Sequence, residues 1–134
     1  MNARLIEIPN IENALGNLGV VEKDTLPFEV KRVYYLYDTP NFAERGGHSH
    51  KDLTQVLIAV SGSFDVILKD GTSQKKITLD KPNIGLLIHK NIWGELINFS
   101  SGAVCLVFAS AVFDESDYIR DYAAFLEYLK TINS

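Results

Sequence analysis

From Leu5 to about Leu96 the chain runs in short β-branched and aromatic stretches broken by turn residues, the pattern of an all-β sandwich or barrel. The runs are RLIEI (4–8), LGVVE (18–22), VKRVYYLYD (30–38), LTQVLIAVS (53–61), SFDVILKD (63–70), KKITL (75–79), IGLLIH (84–89), WGELINF (93–99) and AVCLVFAS (103–110). Together they make the strand count of a jelly roll. Asp70-Gly71 and Ser61-Gly62-Ser63 read as hairpin turns, and Lys81-Pro82-Asn83 breaks the chain before the run at 84–89.

After Ser110 the period changes. Tyr118, Ile119, Tyr122, Phe125, Leu126 and Leu129 recur at three- and four-residue spacing, the stripe of an amphipathic helix. The pattern predicts a helix over 115–130, opening near Asp114 to Ser116, where an aspartate or serine can cap free backbone N–H groups. No repeat, linker or low-complexity segment divides residues 1–134, which are expected to form one cupin-type unit.

Composition narrows the function more than the fold. With 46% of its 134 residues hydrophobic, the chain suits one compact domain with a real core. A net charge of −4 supplies no global field for nucleic acid or an anionic membrane, so neither is expected as a partner. The single cysteine, Cys105, sits in the apolar run AVCLVFA and reads as a buried, inert thiol. The N-terminus MNARLIEIPN lacks the layout of a signal peptide, and no apolar run approaches the roughly 18 residues of a spanning helix. A soluble, cytoplasmic protein is expected.

The candidate chemistry lies in R45-G-G-H-S-H-K51. In a strand, His48 and His50 point to one face about 6.5 to 7 Å apart. Their spacing to Gln55 and Gly62 matches the first motif of the cupin barrels, except that the usual glutamate is Gln55. In the partner stretch P82-N-I-G85-L-L-I-H89-K-N-I-W93-G94-E95, Gly94 stands where metal cupins carry a third histidine. His89 lies five residues early and needs a different register to help. Two histidines and a carboxamide make a poor metal site, so no metal is expected and the pair is better read as acid/base equipment. Nearby, Arg32, Tyr35, Tyr37 and Arg45 offer cations for a diphosphate and hydroxyls for sugar oxygens. Alternation puts Tyr35 and Tyr37 on one face with Val33, and Arg32 with Tyr34 on the other. Trp93 fits either a pocket wall or the core.

These residues bring a family into view. LPFEVKRVYYLYDT (26–39), RGGHSHK (45–51), QVLIAVSGSFDVILKDG (55–71), NFSSG (98–102) and DESDYIRDYAAF (114–125) make the sequence resemble the sugar nucleotide 3,4-ketoisomerases, cupin barrels with a short C-terminal helix. The resemblance implies an isomerase that moves the carbonyl of a dTDP-linked 4-keto-6-deoxy-hexose from C4 to C3 without metal or other cofactor, ahead of amination at C3 for bacterial surface glycans such as lipopolysaccharide. By similarity, His48 and His50 handle protons, with His50 as the C3 base and His48 shuttling a proton or polarising oxygen. Tyr35 and Tyr37 contact the sugar or orient a histidine, Arg32 and Arg45 hold the diphosphate, and Gln55 and Trp93 join the substrate pocket. The family forms homodimers that exchange N-terminal strands.

Two departures stand out. Where the family often carries Asp-x-Arg-Gly-x-Leu, this chain has N13-A-L15-G16-N-L18, so that Leu15 replaces an arginine in or beside the active site. His89 and Lys90 occupy positions where small residues or proline are common. A catalytically impaired nucleotide-sugar binder and a metal-dependent oxygenase therefore stand as the competing readings.

Overall fold

The computed structural model describes residues 1–133. In chain order the strands are β1 (Ala3–Glu7), β2 (Asn10–Ile11), β3 (Leu18–Gly19), β4 (Arg32–Leu36), β5 (Arg45–His50) and β6 (Gln55–Ser61). They continue with β7 (Phe64–Lys69), β8 (Gln74–Leu79), β9 (Ile84–Ile88), β10 (Trp93–Ile97), β11 (Val104–Ala109) and β12 (Tyr118–Ile119). The helix α1 (Tyr122–Ile132) follows. Two five-stranded antiparallel sheets form, in the orders β1-β9-β6-β11-β4 and β12-β5-β10-β7-β8, with β2 and β3 as a separate hairpin. This is the all-β, cupin-type jelly roll with a short C-terminal helix that the pattern predicts.

Alternation builds the core. On β7, Phe64, Val66 and Leu68 point inward while Asp65, Ile67 and Lys69 lie on the other face. They meet Leu57, Leu86, Cys105 and Val107 of the opposite sheet in one apolar cluster. The strand β6 is buried on both faces, because Val56 and Ile58 lie under Ile8 and Leu26 of the N-terminal segment. Burial pushes the Cys105 thiol up to about 12, which makes it the inert thiol the composition suggests.

Of three local expectations, two need correction. Asp70-Gly71 does join a hairpin, β7 to β8, and Asp70 accepts the Thr72 and Ser73 N–H groups at 3.0 and 2.7 Å. Ser61-Gly62-Ser63 does not, since β6 and β7 belong to different sheets and the turn carries the chain across the sandwich. Both turns use a left-handed glycine, so the turn signal is the same; the choice of pairing partner comes from which faces bury. The run at 18–22 supplies only the short β3.

The predicted helix also divides. Glu115–Asp117 form one 3-10 turn capped by Asp114, and Tyr118 and Ile119 are extended. The helix begins at Tyr122, where Asp121 accepts the Ala124 N–H. Pairing Tyr118 with His50 and Ile119 with Ser49 satisfies the edge of β5, which outweighs continuing the helix through these residues. The remaining stripe packs as expected: Phe125 is fully buried against Trp93, with Tyr122, Leu126 and Leu129 around them. No helix among the described residues is long and apolar enough to cross a membrane.

Candidate active site

Between the two sheets lies a cavity of about 440 Å³. Its floor is apolar, with Leu57, Val66, Ile88, Leu96 and Val107 from the core, and its polar wall comes from β4, β5 and the segment after β11. Three arginines, Arg32, Arg45 and Arg120, line it, and no aspartate or glutamate does. In a chain of net charge −4 this is a local cationic basin, the arrangement that binds an anionic group without a global field.

The histidine strand enters the cavity through a bulge. Gly94 pairs with His48 but Leu96 pairs with Arg45, so β5 accommodates an extra residue at Gly46-Gly47, and Gly46 takes φ +72°. Beyond the bulge regular alternation resumes. His48 and His50 share a face with ring centroids 4.9 Å apart, and Ser49, on the other face, is buried. His48 is on the cavity wall, and His50 lies behind it.

His50 is oriented by Asp117. Its Nδ1 is 3.1 Å from Asp117 Oδ2, while Asp117 Oδ1 and Oδ2 also accept the N–H groups of Asp52 and Leu53 at 2.8 and 3.4 Å. A carboxylate can only accept, so Nδ1 carries the hydrogen and neutral His50 presents a lone pair at Nε2. That Nε2 is buried and without a protein partner. Burial lowers the His50 pKa, opposed by the Asp117 hydrogen bond. Burial also drives His48 down to about 4, helped by His50, Arg120 and Arg32. Both rings are therefore neutral near pH 7 and able to accept a proton.

Tyr118 completes the cluster. Its ring is 4.3 Å from that of His50 and 5.0 Å from that of His48, and its hydroxyl accepts from Arg32 Nη2 at 3.2 Å. Arg32 also lies over the rings of Tyr34 and Phe113, at 4.8 and 5.6 Å. Arg120 covers Tyr118 at 4.3 Å and holds Glu115 through two hydrogen bonds of 2.7 and 2.9 Å. The Tyr34 hydroxyl donates to Gln55 Oε1 at 3.3 Å, and burial pushes its pKa up to about 12.

The structure thus gathers Arg32, Arg45, His48 and Gln55 at the cavity with His50 behind them. Three expected site residues lie elsewhere in this protomer. Tyr35 and Tyr37 stand on the opposite face of the sheet, 58% and 62% exposed, with their rings 5.7 Å apart. A strand that sends Arg32, Tyr34 and Leu36 inward must send Tyr35 outward, so Tyr34 is the tyrosine that β4 gives to the pocket. Trp93 is a core residue, packed on Tyr122 and Phe125 with its indole N–H donated to Glu95. His89 is not on the wall; its neighbour Ile88 is. Leu15, at the tip of the β2–β3 hairpin, is 98% exposed and takes nothing from the cavity.

Asp117, Tyr118 and Arg120 escape the sequence reading because they fall inside the apparent helical stripe. The signal that marks them is a second N-cap: Asp121 lies within the predicted helix and is the residue that starts the real one. No three His, Cys, Asp or Glu side chains converge as a metal site among the described residues. Gly94 lies opposite His48, and Gln55 is engaged with Tyr34.

A jelly roll enclosing a cationic cavity with a carboxylate-oriented histidine and a facing tyrosine defines a cupin built for proton transfer on an anionic ligand. The chain belongs to the family described as FdtA: WxcM-like, C-terminal, whose model matches residues 1–130. It is 43% identical over 134 residues, 99% of this chain and 96% of the relative, to TDP-4-oxo-6-deoxy-alpha-D-glucose-3,4-oxoisomerase of Aneurinibacillus thermoaerophilus. A 3,4-ketoisomerase from Helicobacter canadensis superposes with a TM-score of 0.94 at 45% identity, over 97% of this chain and 98% of that one. A His-to-Asn mutant of the Thermoanaerobacterium thermosaccharolyticum 3,4-ketoisomerase, in complex with TDP-4-keto-6-deoxyglucose, also gives 0.94, at 40% identity over 97% and 95% of the two chains.

Proposed function

We infer that this chain is a dTDP-sugar 3,4-ketoisomerase, moving the carbonyl of a dTDP-linked 4-keto-6-deoxy-hexose from C4 to C3. The observation that carries the reading is the His50–Asp117 pair beside a cavity lined by three arginines. The C4 ketone acidifies the hydrogen on C3, and a neutral imidazole is a competent base for it. Its removal gives an enediol, and return of a proton to C4 leaves the carbonyl at C3. The reaction is redox-neutral overall and needs no external oxidant.

His50, with a free Nε2 lone pair, is the C3 base, and neutral His48 polarises a substrate oxygen. Arg32 and Arg45 take the diphosphate, joined by Arg120, and Gln55 contributes to the sugar pocket. The product feeds an amination at C3 on the way to a bacterial surface glycan such as lipopolysaccharide, in the cytoplasm. Residues 1–134 act as one catalytic unit within a homodimer. The exposed face of β4, with Val33 and Tyr35, and the adjoining Tyr37 support a second copy docking there. In this protomer β1 pairs with its own β9, the pairing that an exchanged N-terminal strand hands to the other copy.

The test is to incubate the protein with dTDP-4-keto-6-deoxyglucose in D2O and follow the sugar by NMR. Deuterium on the ring carbons and a 3-keto product are expected, with the coupling between H4 and H5 reporting the configuration at C4. His50→Asn should abolish both while sparing dTDP binding. Neither signal from the unmodified protein would leave a nucleotide-sugar binder.

A further inference from the structure

Residues 115–119, which carry Asp117, have little core of their own. The 3-10 turn buries no residue, and β12 is two residues long, short of the usual strand. The Asp52 and Leu53 N–H groups hold the start of the segment through the Asp117 carboxylate. Its far end is held on the outer face of the sheet that contains β5 and β10, where Ile119 joins Trp93 and Phe125 in a buried cluster beneath α1.

Trp93 is the plate on which that end rests. Its ring meets Tyr122, the first residue of α1, edge-on at 5.3 Å and Phe125 at 5.9 Å. Toward β5 its Cζ2 lies 3.7 Å from where a Cβ on Gly47 would stand, so the same indole also lies against the bulge of the histidine strand. A buried indole N–H needs an acceptor in any case. Here the acceptor is a charge with a second partner: Glu95 Oε2 takes the N–H at 2.8 Å and lies 3.4 Å from Lys69 Nζ. Lys69 pairs with Trp93 across β7 and β10, and its ammonium lies 5.0 Å from the centre of the Tyr122 ring. Apolar packing alone is non-directional, whereas a hydrogen bond to a carboxylate fixes the plane of the ring.

We propose that Glu95 is a positioning residue for the isomerisation, acting from the face of the sheet opposite the cavity. By fixing Trp93 between the β5 bulge and Tyr122 it sets the start of α1, and through Ile119 and β12 it keeps Asp117 on His50. Neither Glu95 nor Trp93 lines the cavity. The contact they protect has little slack. At 3.1 Å the His50 Nδ1 to Asp117 Oδ2 distance is near the long end of a hydrogen bond, and a shift of about 0.5 Å ends it.

The proposal rests on the reading of His50 and Asp117 as the catalytic pair, and the test separates the two. The full chain is labelled with nitrogen-15 histidine, and the Nδ1–H proton of His50 is assigned by its loss in His50→Asn. In Glu95→Ala that resonance should move upfield or broaden as the bond to Asp117 lengthens, and kcat on dTDP-4-keto-6-deoxyglucose should fall by about 10-fold or more. Both readings are taken per folded molecule, so lost stability alone moves neither. Glu95→Gln, whose amide oxygen still accepts the indole N–H, should restore both. An unmoved resonance in Glu95→Ala, a moved one with turnover intact, or no restoration by glutamine would each overturn the proposal. Turnover retained in His50→Asn would instead sink the catalytic reading, whatever Glu95 does.

Discussion

Asp117 Oδ2 lies 3.1 Å from His50 Nδ1, although 67 positions separate the two residues in the chain. The same carboxylate caps the backbone amides of Asp52 and Leu53, so it is held in place by the turn that follows the histidine it orients. One side chain thus both orients the histidine and caps the turn that follows it.

Asp117→Asn tests that arrangement. The single carbonyl oxygen of the new amide is best used on the Asp52 and Leu53 N–H groups, which turns its NH2 toward His50 Nδ1. Nδ1 must then accept, the hydrogen moves to Nε2, and His50 loses the lone pair it would need as the proposed base. A fall in kcat of about 100-fold or more is expected, with dTDP binding retained. Nitrogen-15 NMR of the imidazole should show the tautomer exchanged; an unaltered tautomer with lost activity would refute the explanation.

The pH dependence follows from the two depressed histidines. With His50 as the proposed base, its lowered pKa means that kcat/KM should begin to fall at a lower pH than an ordinary histidine would give. Stability moves in the same direction. With His48 near 4 in the fold and 6.5 when unfolded, the unfolded chain binds more protons between those values. The His48 contribution is complete above pH 6.5 and is lost as pH falls toward 4, by about 2 to 3 kcal/mol at most. Urea unfolding at several pH values, for the unmodified chain and His48→Asn, should show a shallower slope in the variant over that window.

The outer face of β4 yields a prediction about assembly. Val33 and Tyr35 are half exposed on an edge strand. If a second copy covers them, Val33→Asp combined with Tyr35→Asp should shift the mass measured by light scattering from dimer to monomer. A monomeric unmodified chain, or a double variant that remains dimeric, would rule out this face.

Gly62 is the turn that carries the chain between the sheets. It holds φ +65°, and a Cβ there would meet Ala103 Cα at 2.8 Å as well as the Ser100 hydroxyl. Both the backbone conformation and the packing exclude a side chain. Gly62→Ala should cost about 2 kcal/mol or more in unfolding free energy, read from urea titrations, while turnover by the folded fraction is unchanged.

The jelly roll was legible in the chain because strands that bury one face must alternate. Phe64, Val66 and Leu68 show their faces without any knowledge of their neighbours. The shared face of His48 and His50 follows from the same rule, and so does the separation of Arg32 and Tyr34 from Tyr35. What alternation leaves open is which face is inside. On β4 that depends on what packs across from it, and the cavity took the Arg32 face rather than the tyrosine pair. Trp93 was undecided for a related reason, since only the docking of α1 buries it.

Local order in the chain therefore determined the architecture, the histidine pair and the positions where metal ligands are absent. The tertiary structure decided the chemistry of the pair. Asp117 and Tyr118 reach His50 only because a two-residue strand leaves the helical pattern to close the edge of β5, and no local periodicity encodes that. The energy favouring it comes from backbone groups of β5, far away in the chain, that would otherwise lack partners.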